Sequence, residues 1–76
     1  MSNLQNEVNE VKCLRLENPV VVRKVPMTDE GSNMLRAVRD YQIQSYANNG
    51  VAVEIPFPVS IHLLLKEFCA VKGLQY

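Results

Sequence analysis

The residues best suited to chemistry are few: one histidine, His62, two cysteines, Cys13 and Cys69, and three glycines. General acid–base catalysis needs a titratable group oriented by a partner. The sequence around His62 (VSIHLLLKEF) supplies no carboxylate within a helical turn on the same face. A lone imidazole on the polar edge of an apolar helix reads as a packed or surface residue. Zinc needs a closed set of Cys and His ligands at short spacings, but Cys13 and Cys69 stand far apart without a CxxC pair. Cys69, between Phe68 and Ala70, reads as a core thiol, and Cys13 as the more reactive one. No glycine-rich phosphate loop can be assembled from Gly31, Gly50 and Gly73. The chemistry expected is therefore binding, with no catalytic residue, metal or cofactor.

Charge narrows the kind of binding. Eight Lys and Arg balance eight Asp and Glu, so no global field draws nucleic acid or membrane to the chain. The distribution is uneven: residues 12–27 carry Lys12, Arg15, Arg23 and Lys24 against Glu17 alone. Such a segment is either a solvated strand face or a phosphate-facing one. Tyr41 and Tyr46 could stack on bases, but at helical spacing they read first as packing residues.

The elements that must position these residues follow from pattern. Residues 1–10 repeat at neither helical nor strand period and read as a flexible N-terminal arm, leaving 11–76 as a single small domain. Residues 11–16 (VKCLRL) alternate, and Glu17-Asn18-Pro19 is a turn signal. The tract 20–25 is β-branched and Pro26 ends it, so 11–16 and 20–25 are candidate arms of a hairpin. Thr28 is a natural helix N-cap, followed by Asp29 and Glu30 against the positive end of the helix dipole, with Ser32 as an alternative cap. Met34, Leu35, Val38, Tyr41 and Ser45 share one face of that first helix, with Arg36, Arg39, Asp40, Gln42 and Gln44 covering most of the rest. Asn48, Asn49 and Gly50 close it.

Residues 51–58 are ambiguous. Val51, Val53, Ile55 and Phe57 alternate as in a strand, while Pro56 and Pro58 limit any strand to about Ile55. From Ser60, read as the second helix cap, Ile61, Leu64, Leu65 and Phe68 form a broad apolar face that Leu63, Cys69 and Val71 widen. A helix apolar over most of its circumference must be covered on several sides. The first helix alone is not enough cover, so a homodimer is expected, with Val25, Ile61, Leu64, Leu65 and Phe68 at its interface.

VVVRKVPM as a strand, TDE as a helix cap and PVSIHLLLKEF as a second helix together resemble the ribbon-helix-helix (Arc/MetJ/CopG-like) family of DNA-binding proteins, over Val20 to about Leu74. The resemblance implies an α+β fold in which one short strand and two helices per subunit intertwine into a homodimer. It further implies a two-stranded ribbon in the major groove of double-stranded DNA, with the start of the second helix against phosphate. On this reading the chain is a small transcriptional repressor. The phase set by Met27 and Val25 turns Val22 and Lys24 outward and makes Lys24 the groove reader, with Arg23 taking that role if the strand slips by one residue. Lys12 and Arg15 add phosphate contacts, as does Ser60 at the helix start.

The competing architecture takes 51–55 as a real strand, giving a ββαβα domain, monomeric or dimeric, with a three-stranded sheet. Such a domain suits a small non-catalytic protein-interaction module or inhibitor whose open sheet edge accepts a partner strand. Both readings are cytoplasmic: two cysteines do not make a disulfide framework, the first ten residues lack an apolar signal core, and no apolar run approaches the ~20 residues of a membrane span.

Overall fold

Val53, Ile55 and Val59 are the buried apolar residues, and they lie where a short strand runs into a helix. The computed structural model describes residues 10–19 and 21–76, in the order β1 (Lys12–Cys13), α1 (Asp29–Asn48), β2 (Val53–Glu54), α2 (Phe57–Lys72). The fold is α+β: a two-stranded parallel sheet and two helices. All but Glu10 of the expected N-terminal arm, and Val20 of the expected strand, lie outside the described residues.

The strand pairing differs from the expected hairpin. β1 pairs with β2 in parallel, Lys12 opposite Val53 and Cys13 opposite Glu54. Lys12 N–H donates to Ala52 O, and Leu14 N–H to Glu54 O, both at 3.0 Å. Parallel strands need a long crossover, which the turn and α1 provide. The bend at Glu17-Asn18 does form, with Asn18 at φ 52°, but residues 21–28 form no strand. The reason is burial. A two-stranded hairpin in water is marginal, whereas pairing with β2 packs Leu14 and Leu16 against Val53, Ile55 and Val59. The three-stranded sheet is accordingly a two-stranded one among the described residues.

The first helix starts as its sequence dictates. Thr28 is the N-cap, its Oγ1 accepting from Gly31 N–H at 3.0 Å, with Asp29 and Glu30 in the first turn. At the other end Asn49 caps and Gly50 takes φ 83°, a left-handed conformation that costs glycine little. The inward face is shifted from the expected one: Met34 and Tyr41 are exposed, whereas Leu35, Val38, Arg39, Gln42, Ile43 and Tyr46 are half-buried. These six follow the i, i+3, i+4, i+7 spacing of one helical stripe, so geometry overrides the polarity of Arg39 and Gln42.

The second helix begins three residues before Ser60. Pro56 is its N-cap and Pro58 lies in its first turn, where a missing N–H removes nothing the helix would use. Ser60 is therefore not a cap. Its N–H donates to Pro56 O at 3.0 Å, and its side chain is fully buried. The hydroxyl donates to Gln42 Oε1 at 2.7 Å, and Gln42 Nε2 donates back to Ser60 O at 3.2 Å. This reciprocal pair links α1 to α2 and gives the buried Ser60 hydroxyl a partner. Gly73, at φ 69°, ends α2, and Leu74 N–H donates to Cys69 O at 2.9 Å.

Two outcomes in urea unfolding follow. Thr28→Ala costs about 0.5–2 kcal/mol. Ser60→Ala and Gln42→Ala are coupled by roughly 0.5–3 kcal/mol in a double-mutant cycle, since the residues share one hydrogen-bonded contact; additive effects would mean that the link does not stabilise the fold.

Candidate interaction surfaces

Residues 21–28 precede α1 without helix or strand structure, and every one is exposed. Val22 is 93% exposed, and Val21, Val25 and Met27 are each at least half exposed. β-Branched residues of this kind suit strand pairing, and among the described residues the segment has no strand partner. Arg23 and Lys24 lie within it and reach solvent.

The second surface is one side of α2. Ile61 and Leu64 are more than a third exposed, Leu65 and Phe68 more than half, and Val71 three quarters. The physical reason is the one-sided cover. Val59, Ser60 and Leu63 turn toward β2 and α1, which leaves the remaining apolar positions of a nearly all-apolar helix uncovered. All of the positions expected at a dimer interface, Val25 included, are thus open in the single chain. Lys72 Nζ lies 5.8 Å from the Phe68 ring centroid, a cation–π contact at the C-terminal end of the face.

The expected DNA-contacting residues do not behave alike. Val22, Arg23, Lys24, Lys12 and Arg15 are all exposed. Lys12 is in β1 with its backbone bonded to β2, so the basic segment is not gathered by a hairpin. Ser60 is withdrawn: its hydroxyl is committed to Gln42 and its amide to Pro56, leaving neither for phosphate. His62 is a surface residue. Among the described residues no three His, Cys, Asp or Glu side chains cluster to hold a metal ion, and no helix is long and apolar enough to cross a membrane.

Sequence reasoning missed Arg39. The guanidinium lies 4.2 Å from the centroid of the Phe57 ring, and Nε is buried without a hydrogen-bond partner. Its side chain lines a cavity of about 350 Å³ with Ile43, Val53, Glu54, Ile55 and Pro56. The available signal was spacing, since Arg39 follows Leu35 by four positions and precedes Gln42 by three.

A family model matches residues 5–75, nearly the whole chain. The chain belongs to a family of unknown function (DUF7195). Comparison with curated proteins and with solved structures finds no match. The surfaces themselves therefore carry the functional argument.

The two thiols are free and differ in access, Cys13 exposed and Cys69 half-buried. Under native conditions iodoacetamide labels Cys13 first, and labelling at equal rates, read by mass spectrometry, would contradict the burial of Cys69.

Proposed function

We propose that the chain is a small non-catalytic protein-interaction module that works as a homodimer. The observation that carries this reading is its uncovered surface. A compact monomer of 8.6 kDa exposes about 4,700 Å², whereas this chain exposes 6745 Å². Even with the residues outside the description counted as fully solvated, at about 1,600 Å², the remainder exceeds a compact body of its size by roughly 900 Å². One partner contributes about 800 Å² to an ordinary stable interface.

The excess has the right chemistry for self-association. The α2 face of Ile61, Leu64, Leu65 and Phe68 is apolar, and the 21–27 segment can pair with its own copy across a two-fold axis. A chain this short sits near the limit of what one core stabilises, and the buried apolar cluster has three members. Dimerisation supplies the missing burial. The parallel β1–β2 pair supports the module reading further, because residues 53–54 are a strand between the two helices.

A second reading, a ribbon-helix-helix-like DNA-binding dimer acting as a repressor, is favoured by the exposed segment carrying Arg23 and Lys24 directly into the Thr28-capped helix. Paired across a dimer, that segment would bring the two basic pairs together. The neutral net charge, the strand between the helices and the committed Ser60 weigh against it.

Light scattering is expected to give twice the chain mass. Leu64→Ala and Phe68→Ala each lower dimer stability by about 2–5 kcal/mol, the usual loss on emptying a packed site. A monomer at all concentrations, or a dimer unaffected by Leu65→Glu, removes the proposed interface.

Titration with duplex DNA separates the two readings. The module is indifferent to DNA at low salt. The ribbon binds it, with Lys24→Ala losing about 1–3 kcal/mol of preference at one base position and Lys12→Ala weakening all sequences alike and shallowing the salt dependence.

A further inference from the structure

Residues 10–19 form a strap that the core needs and that its own chain holds lightly. Leu14 and Leu16 pack on Val53, Ile55 and Val59, but every other residue of the strap is exposed. Lys12 N–H and Leu14 N–H donate to β2. Among the described residues from Arg15 to Met27, none makes a backbone–backbone hydrogen bond. The strap also leaves its contact with α2 open. A cavity of about 560 Å³ is lined by Leu14, Leu16 and Val21 together with Val59, His62 and Leu63. A well-packed interior keeps few voids larger than a water molecule, so the strap makes less contact than its leucines could.

The strap joins the rest of the chain through residues 21–28, which are exposed and have neither helix nor strand structure. Drawn out at ~3.3 Å per residue, that segment reaches about 26 Å, enough to seat the strap on a neighbouring copy. Nothing in the pairing distinguishes the chain's own β2 from a copy's. The Lys12–Val53 register, the two hydrogen bonds and the burial of Leu14 and Leu16 are the same in either case. The difference lies in the hinge. In the single chain Val21, Val22, Val25 and Met27 are each at least half exposed. In an exchanged pair the two hinges pass each other in opposite directions about the two-fold axis, where β-branched residues can pair. Arg23 and Lys24 oppose that approach at low salt, a repulsion that added salt screens.

We propose that two copies of the chain exchange straps, β1 of each completing the sheet and the core of its partner. This rests on the self-association reading and names the elements that carry it. Each core is then closed by Leu14 of the partner subunit and Leu16 of the partner subunit, and the 21–28 hinges cross between the two bodies. The alternative dimer joins the α2 faces alone and leaves each strap on its own chain. Exchange keeps every contact of the closed chain and adds cover for the hinge valines, which the alternative leaves in water.

The test uses the full chain carrying Cys69→Ser and Glu54→Cys, which sets one new thiol opposite the native Cys13. Neighbouring strands lie about 4.8 Å apart, within the separation that a disulfide spans. Light and ¹⁵N-labelled chains are mixed, unfolded in urea, refolded together, oxidised with diamide, capped and digested for mass spectrometry. Exchange is expected to link Cys13 to position 54 in peptide pairs of which about half join a light arm to a heavy one, as random pairing of two chains requires. Links within one isotope only overturn the inference. The unmodified chain gives an independent reading if Glu54→Cys fails to fold. In a dimer of ¹³C-labelled and unlabelled copies, isotope-filtered NOEs are expected between chains, from the Leu14 and Leu16 methyls to those of Val53 and Val59. Their absence from a dimeric sample overturns the inference as well. Light scattering on the same samples keeps the two ideas apart. A dimer with same-isotope links alone sinks strap exchange and leaves association through α2 standing, whereas a monomer at all concentrations removes both.

Discussion

Val53, Ile55 and Val59 occupy successive inward positions where β2 turns into α2, and each other element is held by contact with them. Leu14 and Leu16 bring the N-terminal strap down onto this cluster, Ile43 and Tyr46 bring α1, and Leu63 brings the second turn of α2. Pro56 makes the junction possible. Its extended ψ of 155° ends the strand, and its fixed φ of −63° suits the residue before a helix. Because the cluster is small, it organises the chain locally and leaves the far ends of both helices largely uncovered.

A polar contact then decides how the helices meet. Gln42 and Ser60 face each other inside the α1–α2 contact, and each supplies what the other lacks. Two buried polar residues that satisfy one another are tolerated, while either one alone opposite an apolar side chain would carry a desolvation penalty. Helix pairing is therefore specific in register, not only apolar. The same contact removes Ser60 from any role at the protein surface. Where a phosphate-binding helix start would need a free amide and hydroxyl, this one begins with Pro56, Phe57 and Pro58.

The open surfaces follow from the same economy of burial. One side of α2 is used by the core and the lock, and the apolar residues remaining on it have no partner within the chain. The 21–28 segment stands outside the two-stranded sheet, which leaves its valines exposed. These exposures have a common origin: the sequence contains more apolar and β-branched surface than two strands of two residues and two helices can cover. Arg39 is a different case, a charged group drawn inward by its position on the buried stripe of α1 and held there by an aromatic ring.

Local determinants were legible in the residues themselves. Thr28 with Asp29 and Glu30, the Asn48-Asn49-Gly50 stop and the bend at Asn18 depend on nearest neighbours, alternation left 51–55 open as a strand of which Val53–Glu54 forms, and the two helices lie close to where composition puts them. The uncovered apolar face of α2 was legible as well, since periodicity counts apolar positions against the cover available. Pairing was not. Whether 11–16 meets 20–25 or 53–54 depends on which partner buries Leu14 and Leu16, and no local pattern records that comparison. The start of α2 was missed because two prolines read as a break when they in fact open a helix. The rotation of α1, which turns Arg39 and Gln42 inward and Tyr41 out, was decided by Ser60 and Phe57, residues fifteen or more positions away in sequence. The sequence by itself determined which segments become helix or strand and how much apolar surface needs cover; only tertiary structure decided which surfaces meet, because that choice compares burial and hydrogen bonding between segments that no short window contains.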